Sequence, residues 1–201
     1  MKTKFISALF ALAITTGISA QSIDTAAFSK SYMYEYNKQY VKAVEAIMGN
    51  YNANSYEHNL RLGWLEYLNG DYTKSQNYYN KAIGMEPSSV EARMGLLYPL
   101  AAMGNWDQVI TVYNDILKQD PNNSTANYRL SSIYYTRKEF DKAMTHAAAV
   151  LKLYPFDYDS NMLAGRIAVA QGKIAEAKKY FTKALNYSPT SVEAKEALKK
   201  L

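Results

Sequence analysis

The sequence predicts an all-α fold built as a tandem stack of helical hairpins, and three observations predict it. Pro87, Pro121, Pro155 and Pro189 are evenly spaced, with a period of about 34 residues that runs three times in succession. Apolar residues between them recur every three to four positions, the spacing of one helix face, and a residue near the middle of each interval interrupts the rhythm. Two near-identical segments, PSSVEAR at 87–93 and PTSVEAK at 189–195, stand three repeat lengths apart. A fixed period of this size marks a chain whose units bury their apolar faces against their neighbours.

The first 20 residues have the pattern of a secretory signal. Lys2 and Lys4 make a basic start, Phe5 to Ile14 is apolar except for Ser7, and Ile18-Ser19-Ala20 offers a small-residue end before Gln21. A membrane anchor needs about 20 apolar residues, and this run has about half that number. Cleavage near Ala20 is therefore expected, with the mature chain working in a bacterial periplasm or secreted, and with no stable membrane span after cleavage.

Each later unit divides into two helices of about 13 residues. Taking the prolines as origins, the residue 17 places earlier is Gly70, Gly104, Lys138 or Gly172, where the first helix ends. Fifteen places earlier stand Tyr72, Trp106, Phe140 and Ile174, and eight places earlier Tyr79, Tyr113, Ala147 and Phe181. Leu62, Leu96, Leu130 and Ala164 form an apolar column on the first helix, and Ala82, Ile116, Val150 and Ala184 one on the second. Ser88-Ser89-Val90-Glu91 and Thr190-Ser191-Val192-Glu193 predict capping boxes for the helices that follow. The second full repeat departs most: it carries Leu97, Val109 and Ile116, and it places Pro99 inside its first helix, where the ring crowds the Gly95 carbonyl and predicts a bend. Bulky packing that compensates the bend locally, or a change of curvature that shapes a binding surface, would each account for it.

Leu62-Gly63, Tyr72, Ser75, Tyr79, Ala82 and Pro87, with Gly165, Ala177, Phe181, Ala184 and Pro189, resemble the tetratricopeptide repeat (TPR) family. The resemblance implies a right-handed α-solenoid of helix-turn-helix hairpins. It implies four full repeats at 56–89, 90–123, 124–157 and 158–190, preceded by a degenerate hairpin over 24–55 around Tyr40, Ala43, Val44 and Ile47. Residues 191–201 form a closing helix with Ala194, Ala197, Leu198 and Leu201 on one side and charges on the other, as a terminal unit requires.

Composition narrows the function. The chain has no cysteine and two histidines, His58 and His146, with no metal-ligand spacing and no glycine-rich phosphate loop. A non-enzymatic protein without cofactor or metal is expected, with both histidines in packing or surface roles. Without the two signal lysines, 21 basic residues face 18 acidic ones, a net charge of +3, and the bases are interspersed with acids, which argues against nucleic acid as a partner.

The 19 tyrosines separate by column. Tyr40, Tyr72, Tyr79, Tyr113 and Tyr134 fall where the family packs its hairpins. The resemblance implies that a concave groove is lined by one face of each first helix. On that face stand Trp64 and Tyr67, Met94 and Tyr98, Tyr128 and Tyr135, and Met162 and Arg166, with Arg129 nearby; Tyr32 and Tyr36 extend it into the weak first hairpin. A protein or peptide partner held in this groove is the implied function, within an envelope-associated complex. Glycan or small-molecule stacking on the same aromatics, and assembly through the convex face, are the alternatives. One subgroup of the family grips a peptide's terminal carboxylate with inner-face asparagines and lysines; the corresponding places here hold Trp64, Tyr98 and Thr125.

Overall fold

The structure is a computed structural model that describes residues 15–201, with side chains from residue 25. Residues 1–14 of the expected secretory signal lie outside the described residues, and residues 15–24 enter as backbone alone. The described residues form eleven helices and no strands: α1 Thr15–Tyr36, α2 Tyr40–Met48, α3 Tyr56–Leu68, α4 Tyr72–Met85, α5 Val90–Ala102, α6 Trp106–Gln119, α7 Ser124–Thr136, α8 Phe140–Leu153, α9 Tyr158–Ala170, α10 Ile174–Tyr187 and α11 Val192–Lys199. Two compact units result, one ending at Met103 and one beginning at Gly104. The first holds hairpins α1/α2 and α3/α4 followed by α5; the second holds α6, hairpins α7/α8 and α9/α10, and α11. The division falls between α5 and α6, inside the repeat whose sequence departs most from the motif.

Tight turns join the two helices of a hairpin, and one backbone conformation makes them. Gly70, Gly104 and Gly172 have φ of 83°, 74° and 74°, and Lys38 and Lys138 adopt the same left-handed region at 57° and 61°. At four of the five, two backbone bonds close the turn: in the first full repeat Gly70 N–H donates to Tyr67 O at 3.1 Å and Asp71 N–H to Glu66 O at 2.9 Å. Lys38, Lys138 and Gly172 repeat this Schellman pattern with their own neighbours. The degenerate hairpin thus keeps the standard turn at Lys38, although the interval from there to Gly70 is shorter than the regular period.

The first helix of each following hairpin, and α11, starts on a side-chain cap. Ser55, Ser89, Asn123, Asp157 and Ser191 recur once per repeat, and each accepts a hydrogen bond from the backbone N–H three places on. The capping boxes expected at 88–91 and 190–193 are a correction: each helix starts one residue later, so Ser89 and Ser191 rather than Ser88 and Thr190 are the caps, and the glutamates stand at the second helical position. The Ser89 and Ser191 hydroxyls do cap, but Glu91 and Glu193 turn to the hydroxyls of Tyr56 and Tyr158, each at 3.4 Å. Those tyrosines also bond the capping serines, both at 2.7 Å, so each ties the start of one repeat to the start of the next.

Close approach of helices is the organising feature of both units. A Cβ added to Gly63 would lie 2.9 Å from the Tyr79 ring, and one on Gly95 only 2.2 Å from it, so the ring is pressed against bare backbone of α3 and α5. Phe181 packs against Gly165 in the same way, 2.4 Å from a notional Cβ. The Ser75 hydroxyl donates to Gly63 O at 2.6 Å; in the third repeat the polarity reverses, and the Ser131 hydroxyl on the first helix donates to Ala143 O at 2.8 Å. Pro99 is fully buried one turn from the end of α5, and the helix runs on through it to Ala102.

Tyr79, Tyr113 and Tyr134 are buried as their columns predict. Tyr40 and Tyr72 are corrections: both are half-buried, Tyr40 lining an open groove and Tyr72 resting beside Tyr67 at 5.9 Å, because each begins a second helix at the edge of its hairpin. α11 closes the second unit through Ala194, which is buried, with Ala197, Leu198 and Leu201 packed beside it.

Overpacking makes these approaches testable. Gly165→Ala is expected to cost about 1–3 kcal/mol in urea unfolding, because the Phe181 ring has no room to withdraw. Lys138→Gly is expected to gain about 0.5–1 kcal/mol, the relief of a left-handed lysine less the entropy that glycine brings to the unfolded chain.

Candidate partner-binding groove

A groove of about 1050 Å³ opens in the first unit between α1, α3 and α5. Phe28, Tyr32, Glu35 and Tyr36 form one wall; Glu57, Leu60, Arg61 and Trp64 form the floor, and Glu91, Met94, Gly95 and Tyr98 the other wall. These positions follow one another at helical spacing along each first helix, so three helices present one face each. Tyr98 and Tyr32 are half exposed and Tyr36 almost wholly so.

Trp64 and Tyr98 of the lining belong to an aromatic triad completed by Tyr67, which lies outside the lining. Trp64 lies 5.6 Å from Tyr67 and 5.5 Å edge-on to Tyr98, and Tyr67 and Tyr98 are 5.3 Å apart. Tilted and edge-on contacts of this kind hold the rings in place.

Beside the triad is a charge node absent from the sequence expectations. Glu35 accepts from the Trp64 indole N–H at 2.7 Å and pairs with Arg61. Arg61 is 6% exposed; its Nε donates to the Ser31 hydroxyl at 3.0 Å, and its guanidinium lies 3.8 Å under the Tyr32 ring. The degenerate hairpin therefore contributes to the site rather than only ending the stack. The pair joins helices that sit out of the regular repeat register, which is why column reading missed it.

The second unit distributes its expected groove residues differently. Tyr128 is half-buried, and burial raises its hydroxyl above the ordinary tyrosine range, with Asp159 adding to the effect and Arg129 opposing it. Arg129 is exposed, Tyr135 stands 6.0 Å from Phe140, and Arg166 is paired with Glu193. Met162 is a correction: it is 2% exposed, enclosed in the cluster with Phe181, Ala184 and Ala194, because the closing helix contributes to its cover.

Asparagines with a clear period were also missed. Asn59, Asn127 and Asn161 share one column, and each side-chain amide donates to two carbonyls, four and six residues earlier, at 2.7–3.1 Å. They latch the inter-repeat loop onto the first helix and are buried, so they present nothing to a ligand.

Both histidines are packed. His58 is stacked on Phe28 at 5.5 Å, behind the groove wall, and its Nδ1 accepts from Asn52 N–H at 3.0 Å. His146 stacks on Tyr134 at 5.6 Å, and its Nδ1 lies 2.9 Å from Asn127 Oδ1. Since both amide hydrogens of Asn127 are already used, the proton of that contact sits on the His146 nitrogen. Burial holds His146 below the ordinary histidine range.

Comparison with known proteins places this geometry. Two sequence profiles described as tetratricopeptide repeat match, one over residues 100–167 and one over 59–89 and 158–191, together more than half of the chain. Human protein O-mannosyl-transferase TMTC1 is 27% identical over 70% of this chain and 20% of its own. Rat DnaJ homolog subfamily C member 3 is 26% identical over 57% and 23%, and bovine BBSome complex member BBS4 30% identical over 61% and 24%. The chain thus spans about a fifth to a quarter of the curated relatives it matches. Among solved structures, MamA has a TM-score of 0.72 at 20% identity, covering 84% of this chain and 93% of its own. A tetratricopeptide repeat protein from Parabacteroides merdae has 0.74 at 16%, covering 92% and 72%. At these identities the structures speak for the fold alone.

Two outcomes check the site. Glu35→Ala leaves the buried Arg61 without its counter-charge and is expected to lose about 3 kcal/mol in chemical unfolding, with a change in Trp64 emission. The folded-state pKa of His146 is depressed, so its contribution to stability is complete above about pH 6.5, the unfolded value, and declines as pH falls below it. His146→Phe is therefore expected to show a shallower fall in melting temperature below that pH than the parent chain.

Proposed function

The chain belongs to the tetratricopeptide repeat family, and from that premise we propose that it is an exported, non-enzymatic scaffold that holds a segment of a protein partner in the groove of its first unit. The observation that carries this reading is the contact of Trp64 with Tyr98, both braced by Tyr67, in an open groove with Tyr32 and Tyr36 on its wall. Aromatic residues with a polar tip bury large areas at small entropic cost, the property of binding anchors. Export rests on the basic and apolar pattern of residues 1–20. Among the described residues no helix is long and apolar enough to cross a membrane.

The name of one relative, BBSome complex member, identifies that protein as part of a complex, which accords with a scaffold role here. The transferase named among the relatives matches over only 20% of its length, and its activity is not extended to this chain.

Affinity capture from the native envelope tests the groove. A protein retained by the parent chain is expected to be lost with Trp64→Ala/Tyr98→Ala while circular dichroism shows the helices intact; equal retention by the double variant would assign the contact to another surface. Mass spectrometry of the exported protein is expected to find a start near Gln21.

A further inference from the structure

The repeat provides an internal comparison that points to the partner's chemistry. In the second unit Arg166 of α9 forms an ion pair with Glu193 at the start of α11. The residues in the same two columns of the first unit are Trp64 of α3 and Glu91 at the start of α5. The surrounding frame is the same in both places: Tyr56 to Ser89 and Tyr158 to Ser191 are 2.7 Å, and Tyr56 to Glu91 and Tyr158 to Glu193 are 3.4 Å. In the first unit an indole, Trp64, holds the column that a guanidinium holds in the second; Trp64 and Glu91 both line the groove, and Glu91 has no base paired with it among the described residues.

We propose that a lysine or arginine of the bound segment seats over Trp64 and pairs with Glu91, taking in the first unit the place that Arg166 takes against Glu193 in the second. This rests on the groove reading above and names what the groove selects. A cation is attracted to an indole face and to a carboxylate together, and a site presenting both is complementary to neither an anion nor a neutral chain.

The other charges lining the groove agree. Arg61 is neutralised by Glu35 and covered by Tyr32, so it does not repel an incoming base. Glu57 lies beside Tyr56 at the same end as Glu91; the Ser55 hydroxyl at 2.7 Å, then its own backbone N–H, hold its carboxyl below the ordinary range. Lys38, the remaining cation, follows the end of α1, away from the helix starts that carry the two glutamates. The groove is acidic at one end, aromatic in the middle and basic at the other, which orients an extended segment.

A Trp106→Phe background leaves Trp64 as the reporter of the two tryptophans. Oligoarginine, oligocitrulline and oligoglutamate of equal length serve as probes. Oligoarginine is expected to change Trp64 emission, with oligocitrulline weaker on the order of tenfold, and with Glu91→Gln weakening oligoarginine about as much while Glu193→Gln does not. Trp64→Arg, which supplies the cation within the chain, is expected to abolish the calorimetric heat of oligoarginine binding. Equal responses to arginine and citrulline, or insensitivity to Glu91→Gln, would overturn the cation site. Envelope capture that depends on Trp64 but not on Glu91 would do the same and leave the groove standing. Loss of that Trp64 dependence would remove the groove and this proposal together.

Discussion

The contact of a second-helix ring with first-helix glycines determines how near the helices come, and much of the structure follows from that distance. Tyr79 is held against the backbone of Gly63 and Gly95 at once, so α3, α4 and α5 meet through one side chain. With helices this close, the Ser75 hydroxyl reaches the Gly63 carbonyl, and consecutive first helices lie near enough for Trp64 and Tyr98 to touch. The groove aromatics are therefore spaced by a core contact that itself reaches the groove, where Tyr79 and Gly95 belong to the lining. Dispersion and burial set the geometry; hydrogen bonds then record it.

The buried ion pair at Arg61 acts on a different scale. Taking a guanidinium out of water is costly, and here the cost is met by a carboxylate, a serine hydroxyl and a tyrosine face together. All three partners come from α1, so the first hairpin is bound to the second by electrostatic demand as well as by Ala43, Ile47, Leu62 and Leu65 in the shared core. The same carboxylate orients the Trp64 indole, which makes the conformation of the groove's central ring depend on a residue of the least regular repeat.

How much of this could be read in advance depends on what the period records. The repeat columns carried the turns and the buried rings of Tyr79, Tyr113 and Tyr134, which recur from unit to unit, and an apolar stripe marked the closing helix; the caps were legible only in part, since Asn123 and Asp157 share a column with Ser55, Ser89 and Ser191 but not their residue type. Met162 shares a column with Met94, yet its exposure depends on a cluster that includes Ala194 of the closing helix, which a column cannot express. Asn59, Asn127 and Asn161 were periodic but polar, and their partners are backbone carbonyls that have no sequence signature. The Arg61 and Glu35 pair was hidden because it crosses the one join where the register shifts.

The tyrosine that spans from one repeat start to the next cap has a consequence for how such an array changes length. Ser191 and Tyr158 share the hydrogen bond that Ser89 and Tyr56 share, although one serine begins the closing helix and the other begins α5. In the two intervening repeats Val90 and Ser124 stand where the tyrosines do, so the bonded pair returns only after three repeats, and a three-repeat block is the unit whose duplication or loss would rejoin the same residues.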